Sequence, residues 1–399
     1  VKPKNTNQIA AVVKLCFDNN VPITPIGGRT GLSGGMLPVF GGVGLSVERL
    51  NTIIEIDENN LQVTVEPGVI TQVLQETVVK KKLFYPPDPS SRGTCFIGGN
   101  IAENSGGPKA VKYGVVKDYV LNLEVVLPNG DVIWTGANVL KNSTGYNLTQ
   151  LIVGSEGTLG IITKAVLRLI PYPTNDVLML VPFFSPEKAC EAVSAIFKAG
   201  ITPSVLEFME RDAIDWVMNY VDGINIPIKD GHQAHLLIEV DGNDLDSLYK
   251  DAEKISETLE RFECDEILFA DTADQKAALW KMRRQVAEAV KGNSVYKEED
   301  TVVPRYELPK LLKGVKQIGD KYGFKSVCYG HAGDGNLHIN IIKGNLTDKQ
   351  WKTDVIDGIK EIFELTVSLG GTLSGEHGIG MVQKDYMTIA FNETQLNLQ

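Results

Sequence analysis

Histidine and glutamate side chains near the C-terminal end are the residues best suited to chemistry. Three of the five histidines lie in two short glycine-rich segments. The first reads GHAGDGNLH and contains His331 and His338, and the second reads SGEHGIG and contains Glu376 beside His377. Imidazole is both a common metal ligand and a proton carrier near neutral pH. A carboxylate next to it adds a further ligand and a base, so the pattern predicts a metal-assisted proton abstraction.

The local sequence indicates how these side chains are presented. The glycines around His331 disfavour a helix. From Leu337 onward apolar and polar residues alternate, which predicts a strand with His338 and Asn340 on one face. Glu376 follows in a loop that is free to approach that face. Two imidazoles and a carboxylate with open positions suit zinc, iron or manganese. The alternative is that these histidines only cap loops through hydrogen bonds.

Three glycine-rich runs in the first half of the chain indicate a second kind of site. They read PIGGRTGLSGG, IGGNIAENSGG and GSEGTLGI. Glycine lets backbone N–H groups approach an anion closely. The first run lacks GxGxxG spacing and is followed by a strand at 43–47, so a Rossmann assignment fails. Together the runs predict an extended crevice for a cofactor with a pyrophosphate, and the alternative is plain glycine-rich turns.

Composition restricts the class of protein. The chain has 399 residues, 43% of them hydrophobic, which suits two or three domains. A net charge of −11 gives no electrostatic basis for binding nucleic acid or anionic membranes. The five cysteines form no CxxC pair, which disfavours an iron–sulfur cluster or zinc knuckle and favours a reducing compartment. No long apolar run or signal-peptide pattern is visible, so we expect a cytoplasmic protein without a transmembrane segment.

The periodicity predicts a change of architecture near Pro173. Before it, a helix at 6–20 precedes a strand-rich region that includes a hairpin around Pro128-Asn129-Gly130-Asp131. After it, helices alternate with strands, which predicts an antiparallel or mixed sheet covered by helices. The helices are expected at 187–199, 245–261, 273–291, 307–322 and 353–369, and the strands at 177–183, 235–240 and 264–270. We therefore predict domains at 1–173 and 174–399.

Several of these segments resemble a known family. PIGGRTGLSGG, PPDPSS, GGNIAENSGG and GSEGTLGIIT resemble the FAD-binding domain of the vanillyl-alcohol oxidase superfamily. GHAGDGNLH and SGEHGIG resemble its C-terminal FAD-linked oxidase domain. The combination is typical of D-lactate dehydrogenases, D-2-hydroxyglutarate dehydrogenases and the flavin subunit of glycolate oxidase. The resemblance implies an α+β fold, in which a two-subdomain FAD-binding domain of the PCMH type is followed by an α+β cap domain.

The resemblance also implies roles for individual residues. It assigns the metal to His331, His338 and Glu376, and it makes His377 the catalytic base. Many superfamily members link FAD covalently through a histidine of the first domain, but no histidine precedes His232, so we predict non-covalent FAD. The residues implied to line the FAD cleft are Pro25, Gly27, Gly28, Arg29, Thr30, Gly31, Leu32, Pro87, Asp88, Gly98, Gly99, Asn100, Ala102, Asn104, Gly107, Glu156, Gly157, Gly160 and Ile161.

A cation is needed to hold a substrate carboxylate. Arg283, on a predicted helix, matches the carboxylate-binding arginine of the family, and a guanidinium can hold a carboxylate bidentately. The alternative is a solvated surface arginine. Asn340 and Lys297 are further substrate-contact candidates. Relatives that take dicarboxylates often carry threonine one turn after the arginine, whereas Ala287 stands here, which favours a small substrate.

The sequence therefore predicts an FAD-dependent dehydrogenase that oxidises a small D-2-hydroxy acid, D-lactate or glycolate, by hydride transfer to flavin. Electrons are expected to leave to a separate acceptor, which could be an electron-transfer flavoprotein, a quinone or an iron–sulfur subunit. A homodimer is possible. Three alternatives stay open: a D-2-hydroxyglutarate dehydrogenase, a non-catalytic flavin-binding electron-transfer subunit, and a zinc hydrolase built on the same histidines. The remaining pair, His232 and His235, is expected to be structural or on the surface.

Overall fold

The computed structural model describes residues 1–224 and 226–399, which form two compact units. Unit 1 comprises Val1–Tyr172 and Glu376–Lys384, and unit 2 comprises Pro173–Gly375 and Asp385–Gln399. The short stretch Glu376–Lys384, here called the return segment, was not expected to group with the first unit. As a result, Glu376 and His377 belong to unit 1, and the other chemically interesting histidines belong to unit 2.

Unit 1 is rich in strands, as the sequence predicted. Its helices are α1 Thr6–Asp18, α2 Thr71–Val79, α3 Ile97–Glu103, α4 Ala110–Tyr113 and α5 Leu148–Ile152. Its strands are β1 Ile23–Ile26, β2 Val43–Ser46, β3 Ile53–Asp57, β4 Gln62–Val65, β5 Leu83–Phe84, β6 Val120–Val126, β7 Val132–Trp134, β8 Ile161–Arg168 and β9 Ile170–Pro171. Five of them form an antiparallel sheet in the order β3-β4-β8-β6-β7, and β1 pairs with β2 in parallel.

Two predicted elements of unit 1 are confirmed. The helix expected at 6–20 is α1, which buries Ile9, Val13 and Cys16 and is capped by the side chain of Asn5. The predicted hairpin is the antiparallel pair β6–β7. In both cases a short-range pattern, apolar spacing or turn residues, was sufficient to specify the element.

The second glycine-rich run contains a helix, although glycine disfavours helical structure. Residues Ile97–Glu103 form α3, which ends at Asn104 in a left-handed conformation with φ 53°. Ile97 and Ile101 are fully buried in the core of unit 1, one turn apart on the same side of the helix. Burial of two isoleucine side chains stabilises by roughly 3–6 kcal/mol, which outweighs the helix cost of about 1 kcal/mol for each glycine.

Unit 2 is an antiparallel sheet covered by helices. Its strands are β10 Asn175–Phe183, β11 Val205–Glu210, β12 Ala234–Gly242, β13 Leu268–Phe269, β14 Tyr296–Val302, β15 Lys325–Gly330 and β16 Asn336–Ile342. Its helices are α6 Pro186–Lys198, α7 Arg211–Tyr220, α8 Leu245–Leu259, α9 Ala273–Arg284, α10 Val286–Asn293, α11 Leu308–Tyr322, α12 Asp348–Lys352, α13 Asp354–Ser368, α14 Met387–Ala390 and α15 Glu393–Leu398. The seven strands follow the order β13-β10-β12-β11-β15-β16-β14.

The register of this sheet brings residues of four strands, distant in sequence, into one row. Met209 pairs with Tyr329, Tyr329 with His338, and His338 with Asp300. Directly paired residues point to the same face of an antiparallel sheet. This face packs on α7, α9 and α10 through Met209, Tyr329 and their neighbours. The alternation predicted from Leu337 onward therefore holds, and His338 lies on the face that α9 covers.

Two details of unit 2 differ from the prediction. The strand expected at 264–270 is reduced to Leu268–Phe269, and the helix expected at 273–291 divides at Gln285. Among the residues that the structure describes, none of the helices has the length and apolar character required to cross a bilayer.

The pair His232 and His235 is buried, so the structural expectation holds and the surface expectation does not. His232 is 1% exposed, and its Nε2 lies 2.9 Å from Oδ2 of Asp265. His235 is fully buried, its ring lies 5.5 Å from that of His232, and within the described residues its ring nitrogens have no hydrogen-bond partner. Burial, with smaller contributions from His232 and Arg211, lowers the pKa of His235 to about 3.

This burial predicts an acid-sensitive core. The folded pKa of about 3 lies below the ordinary 6.5, so over that range the unfolded chain binds a proton that the folded chain does not. The free energy of unfolding must then fall as the pH drops, by about 2 kcal/mol between pH 7 and pH 5 for this residue. Between pH 7 and pH 5, the free energy of unfolding of His235→Leu should therefore fall by about 2 kcal/mol less than that of the wild type.

Urea titrations at both pH values, followed by tryptophan fluorescence, measure this difference. Three of the four tryptophans lie in unit 2, so the signal reports on the correct unit. The comparison is made within each protein, so the cost of repacking around the new leucine cancels. Equal losses in the wild type and the variant would show that His235 is not a source of acid sensitivity.

Candidate active site

Unit 2 brings together the two histidines of the GHAGDGNLH segment. His331 directly follows β15, and His338 lies in β16. Their ring centroids are 5.3 Å apart with the ring planes at 84°, and each residue is 4% exposed. Strand β15 pairs with β16, so the turn between them returns the chain to the same place within seven residues. The loop-capping alternative does not predict two imidazoles in such close contact inside a core.

A buried glutamate links this histidine pair to the predicted substrate-binding arginine. Nδ1 of His331 donates to Oε1 of Glu207 over 2.7 Å. Oε2 of Glu207 forms an ion pair with Nη2 of Arg283 over 2.5 Å. The side chain of Glu207 is only 1% exposed. Burial alone would raise its pKa, but the charges of Arg283 and His331 outweigh this and hold the pKa below its usual value.

Sequence reasoning missed Glu207. It stands in β11, whose sequence VLEFME places Val205, Glu207 and Met209 on one face by strand alternation. An acidic residue among apolar neighbours in a buried strand is a signal that a charged partner is required. The partners lie 76 and 124 residues further along the chain, so a local pattern could not identify them.

Arg283 lies on α9 as predicted, but it is not a surface side chain. It is 4% exposed, and its guanidinium lies 5.3 Å from the centroid of the Tyr329 ring. A guanidinium has five N–H donors, so the pair with Glu207 leaves donors for a ligand carboxylate. Arg284 lies over the Trp280 ring instead, at 4.9 Å. The contacts of Arg283 fix the orientation of its fork, which is what bidentate recognition requires.

His338 lies beside a carboxylate of the neighbouring strand. Its Nδ1 lies 3.4 Å from Oδ1 of Asp300, its partner across β14 and β16. Asp300 also accepts from the hydroxyl of Ser374 and the backbone N–H of Gly375, each over 3.0 Å. Gly375 is joined to Glu376 by a single peptide bond, so this contact anchors the chain just ahead of the return segment.

The donor set of unit 2 fits a divalent metal. In both His331 and His338, Nδ1 faces a carboxylate, so Nε2 is the nitrogen that a metal would take. A carboxylate on the far nitrogen is the usual outer partner of a metal-binding histidine, because it fixes the ring and raises its basicity. His331 and His338 therefore supply the two imidazoles that the predicted metal site requires.

The weaker substrate candidates fall on different sides of the sheet. Asn340 is fully buried on the same face as His338, and its Nδ2 donates to the Val327 carbonyl over 3.4 Å. Lys297 pairs with Ile341, which places it on the opposite face, and its ammonium lies 5.6 Å from the centroid of the Trp351 ring. The structure therefore groups Asn340, but not Lys297, with the histidines.

In unit 1 the three glycine-rich runs converge. Gly27 lies beside Gly99, with 3.6 Å between an added Cβ and the Cα of Gly99. A Cβ added to Gly28 would come within 2.7 Å of the Thr94 carbonyl, so only glycine fits there. Gly157 of the third run contacts Pro25 of the first. This convergence gives the narrow backbone cradle that a pyrophosphate needs, and it fits FAD.

Other predicted cleft residues also support the backbone of unit 1. Nδ2 of Asn100 donates to the hydroxyl of Thr71, and Oδ1 of Asn104 accepts from the Lys117 N–H. A Cβ added to Gly98 would lie 2.5 Å from Cβ of Pro67. The same kind of close approach places Gly107 beside Asp88 and Gly160 beside β6. These contacts shape the loops, whatever they bind.

Comparison with known proteins agrees with this fold. Residues 1–136 match the FAD binding domain, and residues 172–399 match the C-terminal domain of FAD linked oxidases. The glycolate oxidase subunit GlcD of Bacillus subtilis is 41% identical over 97% of this chain and 82% of its own length. A D-lactate dehydrogenase of Anaerostipes hadrus is 36% identical over 100% of this chain and 84% of its own length. The solved structure of p-cresol methylhydroxylase with substrate bound superposes on this chain with a TM-score of 0.79 at 17% sequence identity. The match covers 100% of this chain and 84% of the methylhydroxylase chain.

The fold and these matches define a flavin-dependent oxidoreductase with a PCMH-type FAD-binding domain and an α+β C-terminal domain. The chain belongs to the FAD-linked oxidase family. The family and the fold class predicted from the motifs are therefore confirmed.

The geometry around Glu207 predicts how metal affinity depends on this carboxylate. In Glu207→Gln the amide oxygen can still accept from His331, but the negative charge shared with Arg283 is lost. We expect affinity for Zn²⁺ or Mn²⁺ to fall by roughly 10- to 100-fold. FAD content should stay unchanged, because Glu207 lies in unit 2. Competition with a chelator of known affinity measures the change.

Glu210 provides a matched control on the same strand. It is also buried, it pairs with Lys316 over 2.8 Å, and strand alternation places it on the opposite face from Glu207. Glu210→Gln therefore alters a buried carboxylate on the other face of the same strand. Equal metal affinity in the two variants would contradict a special role for Glu207.

Proposed function

We propose that this protein is an FAD-dependent dehydrogenase that oxidises a small D-2-hydroxy acid, D-lactate or glycolate, to the 2-oxo acid. The observation that carries the proposal is the double contact of Glu207 with His331 and Arg283. One buried carboxylate thus holds side by side an imidazole, which can bind a metal, and a guanidinium, which can bind a carboxylate. A 2-hydroxy acid presents a hydroxyl and a carboxylate on adjacent carbons, which matches that arrangement.

The residues have distinct roles in this proposal. Arg283 binds the substrate carboxylate and so orients the α-carbon. His377 takes the proton of the substrate hydroxyl. His331, His338 and Glu376 hold a divalent metal, which we propose to be zinc, iron or manganese. When bound, the metal supplies a Lewis acid for the hydroxyl and non-covalent FAD supplies the acceptor of the α-hydride.

The preference for a small substrate rests on the residue four positions beyond Arg283. Ala287, in the first turn of the next helix, α10, packs against the apolar core of unit 2 and offers no hydrogen-bonding group. A second substrate carboxylate, as in D-2-hydroxyglutarate, would require a polar partner near that turn. We therefore favour a monocarboxylate, with D-2-hydroxyglutarate as the alternative substrate.

The reduced flavin must be reoxidised by a partner. We propose a separate acceptor, an electron-transfer flavoprotein, a quinone or an iron–sulfur subunit. The name of the Bacillus subtilis relative, a subunit of glycolate oxidase, supports an assembly with other chains. A homodimer stays a prediction. The hydrolase alternative does not fit a chain of the FAD-linked oxidase family.

Anaerobic reduction of the flavin tests the proposal directly. The FAD-loaded protein is mixed with D-lactate, L-lactate, glycolate or D-2-hydroxyglutarate, and the visible flavin absorbance is followed. We expect bleaching by D-lactate or glycolate and none by L-lactate. Bleaching by D-2-hydroxyglutarate alone would establish the alternative substrate. An FAD-loaded protein that no acid bleaches would contradict the proposal and favour a non-catalytic flavin-binding subunit.

His377→Ala serves as the variant for the same assay. Loss of a general base should slow substrate-driven reduction by roughly 100- to 10,000-fold. Dithionite should still bleach the variant at once, which shows that FAD is bound and reducible. Wild-type protein treated with a chelator should behave similarly and recover on addition of the correct metal. Unchanged reduction by the variant would remove His377 from the mechanism.

A further inference from the structure

The return segment Glu376–Lys384 is held in unit 1 by a carboxylate that the sequence assigned to the cofactor. Glu156, in the third glycine-rich run, accepts the backbone N–H of Ile379 on Oε1 and that of Gly380 on Oε2, each over 2.7 Å. Both oxygens are therefore engaged by consecutive amides of the segment that begins with Glu376 and His377. Hydrogen bonds to a charged acceptor are stronger than those to a neutral one.

The backbone of Glu156 adopts a conformation that is unusual for a residue with a side chain. Its φ is 51°, in the left-handed region that glycine occupies at lower cost, although Gly154 and Gly157 stand on either side. Its own N–H is fixed by the carbonyl of Ala102 over 2.8 Å. The turn thus tolerates a strained non-glycine residue whose carboxylate is aimed at the return segment.

The first glycine-rich run holds the same segment from another direction. The carbonyl of Ser33 accepts from the N–H groups of Met381 and Val382, over 2.8 and 3.2 Å. A Cβ on Gly380, whose φ is 47°, would collide with that carbonyl. Two loops of unit 1 therefore hold the backbone N–H groups of four consecutive residues, 379–382, so the course of this segment does not depend on its own side chains.

The second run approaches the start of the segment. Oε2 of Glu103, the last residue of α3, lies against Gly378, and a Cβ added to Gly106 would lie 2.7 Å from Oε2 of Glu376. Burial, and then the charge of Glu156, raise the pKa of Glu103 to about 8. At neutral pH Glu103 is therefore mainly uncharged, which avoids a second negative charge beside Glu156.

We propose that Glu156 is a positioning residue, which orients His377 and Glu376 by holding the amides of Ile379 and Gly380, and that it is not primarily a cofactor ligand. The inference rests on the proposed role of His377 in 2-hydroxy-acid oxidation. The anchoring itself is a property of unit 1 and can be measured without any substrate.

The first measurement is hydrogen–deuterium exchange of peptides that cover residues 376–384 in the FAD-loaded protein. Glu156→Gln keeps one acceptor oxygen, and Glu156→Gly removes the side chain while relieving the left-handed backbone. We expect exchange at Ile379 and Gly380 to accelerate by roughly 10- to 100-fold in the glycine variant and by less in the glutamine variant. Unchanged exchange in both variants would overturn the proposal, whether or not the wild-type flavin is reduced by a 2-hydroxy acid.

The second measurement separates positioning from cofactor binding. The rate constant for anaerobic flavin reduction, per bound flavin at saturating substrate, should fall in the order wild type, glutamine, glycine, with FAD affinity nearly constant. A variant that loses FAD affinity at least tenfold but reduces its bound flavin at the wild-type rate would show that Glu156 is a cofactor ligand, and the proposal would fail. A general loss of stability would not change the rate per bound flavin.

Glu263 supplies the matched control. It is an exposed glutamate with φ 55°, so it shares the left-handed backbone but lies in unit 2. Glu263→Gly relieves backbone strain in the same way as Glu156→Gly, but outside the return segment and its contacts. We expect wild-type exchange at 376–384 and a wild-type reduction rate. If this control shifted both quantities as much as Glu156→Gly does, the effect would not be specific to Glu156, and the proposal would be overturned.

Discussion

The buried carboxylate of Glu207 is the constraint on which the arrangement of unit 2 depends. Removing a charge from water costs several kcal/mol, and only well-placed partners offset that cost. Here the partners are Arg283 and His331, both nearly inaccessible to solvent. Neither can move away without leaving a charge uncompensated in the core. The requirement to neutralise Glu207 therefore holds a cation and an imidazole in fixed positions, which is the condition for recognising a small substrate precisely.

Unit 1 positions its polar groups by a different means. Its glycine-rich runs let backbone segments approach more closely than side chains would allow, as at Gly28 against Thr94. Specific hydrogen bonds restrict the flexibility of these runs. They include those that the Glu156 carboxylate accepts from backbone amides of the return segment. In both units a glutamate carboxylate fixes other groups, by an ion pair with a side chain in one case and by main-chain amides in the other.

The sequence was sufficient for features that depend on local pattern or on contiguous motifs. Helix α1, the hairpin β6–β7 and the alternation around His338 follow from spacing, and the glycine-rich runs identified the family. Two kinds of feature were beyond its reach. Helix α3 forms because Ile97 and Ile101 are buried, which is a tertiary effect that overrides glycine propensity. The roles of Glu207 and Glu156 depend on partners 76 and 223 residues distant, which only the folded chain brings together.

The most direct test of this account is an anomalous diffraction measurement on crystals that contain Mn²⁺ or Zn²⁺. The account predicts one strong anomalous peak about 2.0–2.3 Å from Nε2 of both His331 and His338, with Glu207 still bonded to Nδ1 of His331. It would be contradicted by a peak on Nδ1 with Glu207 displaced. It would also be contradicted if the metal fully occupied another site in the crystal and neither histidine bound it. Glu207 would then hold these residues for another purpose.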